Sequence, residues 1–473
     1  MDLTNFLKIL DWIDSYRQNL PTLDVNPSIV PGAVLQQLPT AAPEKGETFD
    51  QIFKDFESMI VPNMTHWQHP DFYAYFPASN SLPSLEAELL TAALGAQCML
   101  WVTSPAAEEL EIRMMEWLRS ILDLPPHLTG CIQDTASSAT LCAILSAREL
   151  QSDFGINENG FQGQRFRVYT STQAHSSVEK AVKISGIGAA NLVKIAVDEN
   201  YALIPVALES AIKADLDAGF SPLIVIGTIG TTSTTAVDPI EAIGKIANKY
   251  KLWFHVDAAY AGTALILPEC RWMSAGLEHA DSFVFNPHKW MFTHFDCSAY
   301  FVKDPLILRQ TFGIQAAYLN TAVDENVANF RDWGIALGRR FRALKLWFVM
   351  RSFGVEGIRD RIRAHIFLGK WFENQIEGAP DFELMAPVFL NLVCFRFVPN
   401  GMDDVASINK LNKDLLEELN RTGKIFLTPT DLNGQYVIRL VPGNEQSNMN
   451  SLQAAWERIR QMARTLDKLR LNA

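Results

Sequence analysis

The sequence predicts an α/β fold with a mostly parallel sheet, preceded by a helical segment and followed by a smaller α+β domain. Two observations carry this prediction. Apolar strand patterns alternate with helical patterns between about residues 130 and 305, and the alternation stops near residue 345. Strands that alternate with helices form parallel sheets covered on both faces. We therefore expect three parts, at residues 1–80, 81–345 and 346–473.

The first 80 residues predict an attached helical segment rather than an independent domain. Apolar residues recur at helical spacing between Leu3 and Ile13, and a second amphipathic helix is predicted over residues 49–60. A proline-rich connector lies between them. Two helices on an extended connector bury little surface by themselves. We expect them to pack on another surface, such as a second subunit.

Six apolar runs of β-preferring residues predict the strands of the sheet domain. They span residues 167–171, 192–197, 223–227, 252–256, 282–285 and 298–302. Asp238, Pro239 and Glu241 predict the start of one intervening helix, with Asp238 as its N-cap and Glu241 completing a capping box. Ligands of such sheets bind at the carboxyl ends of the strands.

The remaining chain predicts a smaller domain and one loop. Helical patterns cover residues 404–420 and 451–469, and strand patterns cover residues 391–398 and 435–441. Residues 315–330 are polar and lack periodicity, which predicts a mobile loop between the two domains.

Composition and charge exclude several classes of partner. A net charge of -12 argues against nucleic acid or an anionic membrane as the main partner. The six cysteines include no CxxC pair, which indicates a reducing compartment. The N-terminus shows no secretory signal, and the longest apolar stretch, residues 89–102, is too short to span a bilayer. We expect a cytoplasmic protein without a membrane or nucleic-acid partner.

Lys289 stands in an unusual position for a lysine. It follows a buried strand pattern, Phe283 to Phe285, after the strand-ending pair Asn286-Pro287. One interpretation is a side chain that passes Trp290 to reach solvent. The other is a desolvated, nucleophilic amine that forms a Schiff base. Lysine is rarely buried without a partner, so the rest of the chain must decide.

Three other segments supply candidate partners for such an amine. Asp257 ends a strand and precedes small residues, so its carboxylate can face a flat ligand, unless it serves as a helix cap. His175 follows another strand and can stack on a ring, or serve as a helix-start or core histidine. Residues 133–138, rich in small hydroxyl side chains, precede a predicted helix over residues 139–150 and can hold a phosphate at its start, although taken alone this pattern more often indicates an ordinary N-cap.

These weak signals are strong in combination. Lys289 comes 289 − 257 = 32 residues after Asp257, which is about one helix and one strand later. A Schiff-base lysine, a carboxylate for the pyridinium nitrogen and a helix N-terminus for a phosphate together indicate pyridoxal 5'-phosphate.

An aromatic stretch between residues 66 and 77 predicts a pocket wall. His66 and His69 flank Trp67 and could suggest a metal, but no third ligand lies nearby at suitable spacing, so we predict no metal site. Aromatic side chains are more often core or pocket lining, and aromatic walls suit an aromatic ligand.

Longer motifs then make the sequence recognisable. HVDAAYAG at residues 255–262 and NPHKW at residues 286–290 closely resemble the aromatic L-amino acid decarboxylases, which are group II pyridoxal phosphate enzymes of fold type I. The resemblance covers nearly the whole chain. Further segments that carry it are FYAYFP (72–77), SPAAEELE (104–111), QAHSSVEKA (173–181), GTIGTT (227–232), HFDCSA (294–299) and LGRRFRALKLWFV (337–349).

The resemblance implies a role for each candidate cofactor residue. Lys289 would bind the cofactor as a Schiff base, Asp257 would pair with the pyridine nitrogen and His175 would stack on the ring. Thr232 would face the ring hydroxyl, and Ala259 would lie against the ring. The implied phosphate partners are Ala136, Ser137, Asn286 and His288, with Gly338 of a neighbouring subunit near the phosphate.

The resemblance also implies a substrate pocket and an obligate homodimer. Trp67, Tyr75, Phe76, Pro77 and Met99 match positions that line the pocket, some of them contributed by the neighbouring subunit. The first 80 residues match a dimer-clasping segment.

Tyr318 matches the catalytic tyrosine of the family's mobile loop, so the resemblance implies that it protonates Cα after CO2 leaves. The expected reaction is decarboxylation of an aromatic L-amino acid to an arylalkylamine. Related aldehyde synthases usually carry Phe at this position, so Tyr318 favours simple decarboxylation. The aromatic stretch argues against a decarboxylase of small acidic amino acids, and the intact set of cofactor residues argues against a non-catalytic binding protein.

Three positions depart from the family pattern. Asp134 replaces a common glycine before the phosphate residues, where a carboxylate is unfavourable unless it turns away or caps a helix. Ala78 replaces a common hydroxyl residue, and the loop around Tyr318 is about two residues shorter. Gly338 leaves room that serine would fill, and related plant enzymes with glycine here accept indoles, so tryptophan and 5-hydroxytryptophan stand beside DOPA, tyrosine and phenylalanine.

Overall fold

The computed structural model describes residues 3–314 and 327–472. The chain divides into two compact units. Unit 1 comprises Met1–Pro77, Phe367–Met385 and Asn391–Ala473, and unit 2 comprises Ala78–Ile366 and Ala386–Leu390. The N-terminal segment therefore belongs to the same unit as the C-terminal part of the chain. The predicted division at residues 80 and 345 remains a prediction.

Helices and strands follow one another along the described chain. The helices are α1 (Leu3–Asn19), α2 (Ala33–Gln37), α3 (Phe49–Asp55), α4 (Leu82–Leu94), α5 (Pro105–Ile121), α6 (Ala136–Gln151), α7 (Gly155–Asn159), α8 (Ser176–Ile184), α9 (Pro205–Asp217), α10 (Ile240–Tyr250), α11 (Pro287–Trp290), α12 (Pro305–Phe312), α13 (Arg342–Glu377), α14 (Val405–Arg421) and α15 (Met449–Leu471). The strands are β1 (Thr129–Gln133), β2 (Phe166–Ser171), β3 (Leu192–Ile195), β4 (Ser221–Thr228), β5 (Trp253–Asp257), β6 (Ser282–Phe285), β7 (Ser298–Val302), β8 (Phe382–Leu384), β9 (Val393–Phe397), β10 (Thr428–Leu432) and β11 (Gln435–Leu440).

Unit 2 is organised around a seven-stranded sheet in the order β1-β7-β6-β5-β4-β2-β3. Strand β7 is antiparallel to its neighbours β1 and β6. The other adjacent strands are parallel, with Val256 of β5 opposite both Gly227 of β4 and Phe283 of β6. The predicted mostly parallel α/β fold is confirmed, and the carboxyl ends of β2, β4, β5 and β6 meet at one edge of the sheet.

The core of unit 2 lies between this sheet and the helices that cover it. Ile144 of α6 and Val178 of α8 pack with Val168 of β2 and Ile224 of β4, and all four side chains are buried. Burying each such side chain contributes roughly 1.5–3 kcal/mol relative to leaving it exposed. The continuous apolar run Leu223 to Ile226 in β4 is the sequence signature of a strand covered on both faces.

Strand β1 was absent from the predicted strands. Its sequence, TGCIQ, contains Gly130 and few β-preferring residues. Gly130 is required by packing, because a Cβ there would collide with Met115 and Phe301. The antiparallel pairing of β1 with β7 supplies the strand, and such a tertiary contact leaves no local pattern in the sequence.

The predicted cap of α10 was wrong in its details. The helix begins at Ile240, with Pro239 as the N-cap residue and no side-chain cap. Asp238 instead turns into the protein, where its carboxylate accepts hydrogen bonds from Leu203 N and Thr228 N, each at 2.8 Å. Burial raises the pKa of Asp238 to about 7. The residue therefore fixes the end of β4 rather than the start of the helix.

Unit 1 contains the smaller antiparallel sheet, in the order β10-β11-β9-β8. Phe382 of β8 packs edge-on against Trp456 of α15, with ring centroids 5.0 Å apart. Phe395 of β9 and Phe372 of α13 make a similar contact at 5.5 Å. The predicted α+β character of the C-terminal region is confirmed.

Candidate active site

Lys289 lies in the turn that leaves the sheet at the end of β6. Asn286 N donates to Ala259 O at 3.0 Å, and Lys289 N donates to Asn286 O at 2.9 Å. Ser79 Oγ donates to Lys289 O at 2.6 Å, which ties the turn to the start of unit 2. The lysine is half-buried, between the buried residues His288 and Trp290. Trp290 is interior and donates through Nε1 to His365 Nδ1 at 2.9 Å, so it offers no surface route for the lysine.

Asp257 is the last residue of the neighbouring strand β5. Its side chain is buried, and Oδ1 accepts a hydrogen bond from Ala259 N at 2.9 Å. The short helix that follows begins at Ala261 with Tyr260 as its N-cap residue, so Asp257 does not cap it. The segment after Asp257 packs closely on the end of β6, because a Cβ on Gly262 would collide with Phe285.

His175 follows β2 and is the N-cap residue of α8. Its Nδ1 accepts a hydrogen bond from Ser177 N at 3.2 Å and lies 2.8 Å from Ser177 Oγ. The helix-start interpretation is therefore correct for Nδ1, while the residue as a whole stays exposed and available to a ligand. Packing of nearby protein atoms lowers the pKa of His175, the charge of Lys289 lowers it further, and the charge of Asp257 raises it. The structure thus brings these three residues together.

The start of α6 supplies the next part of the site. Thr135 is the N-cap residue, and its Oγ1 accepts from Ser138 N at 3.4 Å. Ala136 is buried and Ser137 is exposed at the first two helical positions, where backbone N–H groups have no partner within the helix. Asp134 Oδ1 accepts from Thr135 N at 2.7 Å. One oxygen of the Asp134 carboxylate is therefore held by the backbone N–H of Thr135. The N-cap role of Thr135 leaves the N–H groups of Ala136 and Ser137 for an anion, so the cap and the anion-binding interpretations are compatible.

Asn286 and His288 are buried hydrogen-bond donors beside Lys289. Asn286 Oδ1 accepts from Ser298 Oγ at 2.7 Å, which leaves its amide nitrogen as the group available to an anion. His288 Nδ1 accepts from Cys297 N at 2.9 Å, so the proton of the neutral ring is on Nε2. Burial, followed by the charge of Lys289, lowers the pKa of His288 to about 3. His288 therefore acts as a neutral donor.

Positive charge near His288 comes from helix α13. Lys345 is buried and pairs with Glu88 of α4 at 2.6 Å. Arg342 Nε pairs with Asp296 at 2.8 Å. The charge of Lys345 contributes to the low pKa of His288. A buried cation favours an anion nearby, even in a protein with an overall negative charge.

Thr232 lies in the turn between β4 and α10 and is half-buried. The turn depends on Gly230, which has φ +83° and whose backbone N–H donates to Ala236 O at 3.0 Å. A Cβ on Gly230 would collide with Ala261, so the turn lies against the segment that follows Asp257.

Met99 and Gly338 occupy adjoining segments of unit 2. Met99 O accepts from Arg331 N at 3.3 Å. Gly338 is exposed, and a Cβ there would lie 3.1 Å from Gln97 Nε2. Gln97 Oε1 in turn accepts from Arg339 N at 2.7 Å. A serine at position 338 would therefore press on the Gln97 side chain.

The predicted aromatic pocket residues Trp67, Tyr75, Phe76 and Pro77 belong to unit 1. Trp67 stacks on Tyr75 with centroids 5.6 Å apart, and both rings are exposed. The guanidinium of Arg439 lies 5.5 Å from the Phe76 ring centroid. Exposed aromatic pairs of this kind often mark a binding surface. Tyr318 lies outside the described residues.

The two histidines beside Trp67 have structural partners. His66 Nδ1 lies 2.8 Å from the Tyr16 hydroxyl, and His69 Nδ1 accepts from Asp71 N at 3.0 Å. Within residues 3–314 and 327–472, no group of three or more His, Cys, Asp or Glu side chains could hold a metal ion.

A cavity of about 630 Å³ lies away from these residues, at the amino ends of β4 and β5. Leu223 and Trp253 line it, at the opposite edge of the sheet from Asp257. Because ligands of parallel sheets bind at the carboxyl edge, its size alone does not make it the active site.

Sequence reasoning missed three residues around Lys289 and Asp257. Ser79 holds the Lys289 carbonyl, Lys345 is a buried cation, and His255 is a fully buried polar ring in β5. The sequence does contain a signal for two of them. His255 interrupts an apolar strand, and Lys345 interrupts the apolar run Leu344 to Val349.

The site combines a lysine, an aspartate and a histidine at the carboxyl edge of a mostly parallel sheet, with a helix N-terminus and neutral donors beside them. This is the arrangement found in pyridoxal phosphate enzymes. The residues fit that cofactor chemically: an amine for its aldehyde, a carboxylate for its ring nitrogen and N–H donors for its phosphate. The profile of the pyridoxal-dependent decarboxylase conserved domain matches residues 31–398. The chain belongs to this family, whose cofactor is pyridoxal 5'-phosphate.

Individual relatives span the whole chain. Tryptophan decarboxylase 2 of Oryza sativa subsp. japonica is 39% identical over 467 residues, covering 96% of this chain and 93% of the relative. Phenylacetaldehyde synthase of Arabidopsis thaliana is 41% identical, covering 96% and 94%. The crystal structure of Oryza sativa TDC with PLP and tryptamine superposes with a TM-score of 0.94, at 34% identity and 98% coverage of this chain and 97% of that chain.

These relatives define the enzyme class more coarsely than the substrate. The chain belongs with the pyridoxal phosphate enzymes that include aromatic amino acid decarboxylases and aldehyde synthases. In the described part of the chain, no helix combines the length and apolar character required to cross a bilayer.

Proposed function

We propose that this enzyme decarboxylates an aromatic L-amino acid, releasing CO2 and the corresponding arylalkylamine. The observation that carries the proposal is geometric: Asp257 ends β5, Lys289 follows β6 and His175 follows β2, all at the carboxyl edge of the same sheet. The charges of Lys289 and Asp257 both act on His175. Candidate substrates are tryptophan, 5-hydroxytryptophan, DOPA, tyrosine and phenylalanine. The proposed role is amine biosynthesis in the cytoplasm.

Each side chain has a defined task in this proposal. When bound, pyridoxal phosphate accepts the electron pair that CO2 leaves behind. Lys289 would hold the cofactor through its aldehyde and give way to the substrate amine. Asp257 would keep a proton on the ring nitrogen, because a nearby anion favours the cationic form of that group. His175 would stack on the ring, Ala259 would lie against it, and Thr232 would face its hydroxyl.

The phosphate partners are the backbone of Ala136 and Ser137 and the side chains of Asn286 and His288. The helix N-terminus favours negative charge, and the neutral His288 donates through Nε2 without needing a proton from solvent. Lys345, which pairs with Glu88 and whose charge acts on His288, would add positive charge on this side of the site. Gly338 would lie near the phosphate from the partner subunit.

The substrate side chain would contact Trp67, Tyr75, Phe76, Pro77 and Met99. Stacked, exposed aromatic rings favour an aromatic side chain over a small acidic one. The relatives include tryptophan decarboxylases and tyrosine decarboxylases at similar identity. Tryptophan and tyrosine therefore stand together among the candidates.

We further propose a homodimer that completes the active site. The apolar residues Leu3, Phe6, Leu7 and Leu10 of α1 are each about half or more exposed. Exposed apolar faces of this kind mark interaction surfaces. Sedimentation equilibrium should give a dimer mass for the native chain, and a monomer for Leu7→Asp combined with Leu10→Asp. A monomeric native enzyme with full activity would contradict this proposal.

Tyr318 is the proposed general acid that protonates Cα after CO2 leaves.

The second candidate function, aldehyde synthesis, is favoured by the 41% identity to phenylacetaldehyde synthase. The two reactions differ in their products: the decarboxylase releases only CO2 and amine, whereas the synthase consumes O2 and water and releases aldehyde, ammonia and hydrogen peroxide with CO2.

The test is a product assay over the five candidate amino acids and glutamate. The native enzyme should give amine and CO2 in equal amounts from at least one aromatic substrate, without peroxide. Tyr318→Phe should divert product toward aldehyde. If the native enzyme releases peroxide and ammonia in amounts equal to CO2, it is an aldehyde synthase. Activity on glutamate alone would contradict an aromatic substrate.

A further inference from the structure

His255 is a polar residue in the centre of the fold that the proposed chemistry does not use. It is fully buried in β5, two residues before Asp257. Alternate residues of a strand point to the same face of the sheet. The His255 ring therefore lies on the same face as the Asp257 carboxylate, deeper in the protein.

Both ring nitrogens of His255 have side-chain partners from other elements. Nδ1 lies 2.8 Å from Ser282 Oγ of β6, and Nε2 lies 3.4 Å from Thr140 Oγ1 of α6. Ser282 Oγ also accepts from Trp253 Nε1 at 2.8 Å. Either tautomer of the neutral ring satisfies both contacts, with one nitrogen donating and the other accepting.

The three elements joined by this ring are those that carry the proposed cofactor partners. Thr140 lies one helical turn after Ala136, on the same face of α6. Ser282 opens β6, the strand that leads to Lys289. Asp257 ends the strand that contains His255 itself. The His255 imidazole therefore connects three elements. These are α6, whose start is the proposed phosphate site, β5, which ends at Asp257, and β6, which leads to Lys289.

His255 is neutral over the physiological range. Burial is the main cause that lowers its pKa to about 4, against the opposing effect of the Asp257 charge. A neutral ring can bridge two hydroxyl groups without placing a second cation beside Asp257. The carboxylate charge then remains available to the cofactor ring nitrogen.

An apolar ring could fill the same volume without the cost of burying polar atoms. The neighbouring residues Phe254 and Val256 are apolar and fully buried, and the edge of the Tyr300 ring packs on His255 with centroids 6.3 Å apart. Buried polar groups are costly unless their hydrogen bonds are made, and they can then specify one arrangement of the core. This cost is consistent with a specific positioning role.

We propose that His255 is a positioning residue, a hydrogen-bonded bridge that fixes the spacing of α6, Asp257 and the turn carrying Lys289 so that the cofactor binds all three. The inference rests on the proposed function of those residues. This role predicts that loss of the bridge weakens cofactor binding while the apoprotein keeps most of its stability.

The experiment compares His255→Phe, Thr140→Val and the double variant with the native chain. His127→Phe is the matched control, because His127 is exposed and lies outside the bridge. Each apoprotein is titrated with pyridoxal phosphate to obtain Kd from absorbance, and its melting temperature is measured separately without cofactor. His255→Gln, which can still reach Thr140, tests for partial rescue.

We expect His255→Phe to weaken binding about tenfold, since one or two buried hydrogen bonds are lost. Thr140→Val should weaken it less, and the double variant should be no weaker than His255→Phe, because both changes break the same link. The Gln variant should fall between the native and Phe values, and the His127→Phe control should match the native chain.

The proposal would be overturned if His255→Phe and Thr140→Val both bind the cofactor within twofold of the native affinity and lower only the melting temperature. His255 would then serve only to pack the core. If His255→Phe does not fold, Thr140→Val decides by the same criterion. A native chain that fails to bind the cofactor would overturn the proposed function itself, which separates the two failures.

Discussion

The residue type alone does not reveal the proposed roles of Lys289, Asp257 and His175. Lys289 is half-buried between His288 and Trp290, yet its sequence context also allowed a solvated lysine. Asp257 is one of many aspartates that precede small residues. What distinguishes the three residues is their position: the parallel register of β5 and β6 and the end of β2 place them at one edge of the sheet, where the charges of Lys289 and Asp257 both act on His175.

At the residue scale, replacing Asp257 tests its electrostatic task. Asp257→Asn keeps the shape and removes the charge that favours a protonated ring nitrogen. We expect kcat to fall at least about 100-fold, comparable to loss of a preorganised electrostatic partner, while the melting temperature of the apoprotein changes little. Asp257→Glu, which retains the charge, serves as the control. Equal kcat for the native and Asn enzymes would contradict the assignment.

The protonation states of His255 and His288 give a second residue-scale prediction. Their pKa values, about 4 and about 3, lie below that of a histidine in the unfolded chain. Their ring NMR signals should therefore stay constant from about pH 8 to pH 5, across which an ordinary histidine titrates. Below about pH 6.5 the unfolded chain binds protons that the folded protein does not, so both residues reduce stability as pH falls.

Asp238 works in the opposite direction at mild acidity. Its pKa of about 7 exceeds that of an unfolded aspartate, so its contribution to stability is complete at low pH and is lost as pH rises through 7. The ring signals isolate the two histidines from this opposing effect. A midpoint near pH 6.5 for either ring would contradict the buried, neutral state.

At the element scale, α4 and α13 are joined by a buried charge pair. Lys345 of α13 contacts Glu88 of α4 at 2.6 Å, and Lys345 is only 1% exposed. Glu88 also pairs with Arg340. Removing Glu88 therefore leaves the buried Lys345 charge without its partner, which costs roughly 3–5 kcal/mol, whereas removing Lys345 leaves Glu88 paired with Arg340. The Lys345–Glu88 pair holds the start of α13 against α4.

We predict that Glu88→Leu destabilises the protein by about 3 kcal/mol in urea unfolding of the apoprotein, because it leaves the buried Lys345 charge without its partner. The double variant Lys345→Met with Glu88→Leu should recover much of this loss, since neither charge then remains. Cofactor affinity should be lower in the double variant than in Glu88→Leu, because only the double variant lacks the Lys345 cation near the proposed phosphate site. Additive losses of stability in the double variant would contradict a direct pair.

Helix starts illustrate which parts of an element can be predicted from sequence. Thr135 caps α6 through its side chain, as hydroxyl residues before a helix generally do. Asp238 has an equally good cap pattern and does not cap α10. It is held instead by Leu203 N and Thr228 N, which are distant in sequence. Local patterns identify candidates, and tertiary hydrogen bonds decide among them.

At the scale of the whole molecule, the parallel sheet was predictable because its strands are continuous apolar runs separated by helices. Strand β1 was not, because its pairing with β7 and its packing on Met115 come from tertiary contacts. The folding of the N-terminal segment into the same unit as the C-terminal residues was also not predictable, because no local pattern encodes it.

The candidate site was predictable to a similar extent. Residues with distinctive chemistry in strand-end motifs, such as Lys289 and Asp257, were found from sequence and family resemblance. Ser79, His255 and Lys345 act through backbone or buried polar contacts, which become visible only when the elements are assembled.

The central claim is that Lys289 is the residue that binds pyridoxal phosphate covalently. The direct measurement is borohydride reduction of the enzyme with its cofactor, followed by proteolysis and mass spectrometry of the labelled peptide. We predict a single reduced pyridoxyl adduct on Lys289, lost together with amine formation in Lys289→Ala. An adduct on another lysine, or a labelled and active Lys289→Ala enzyme, would contradict the account.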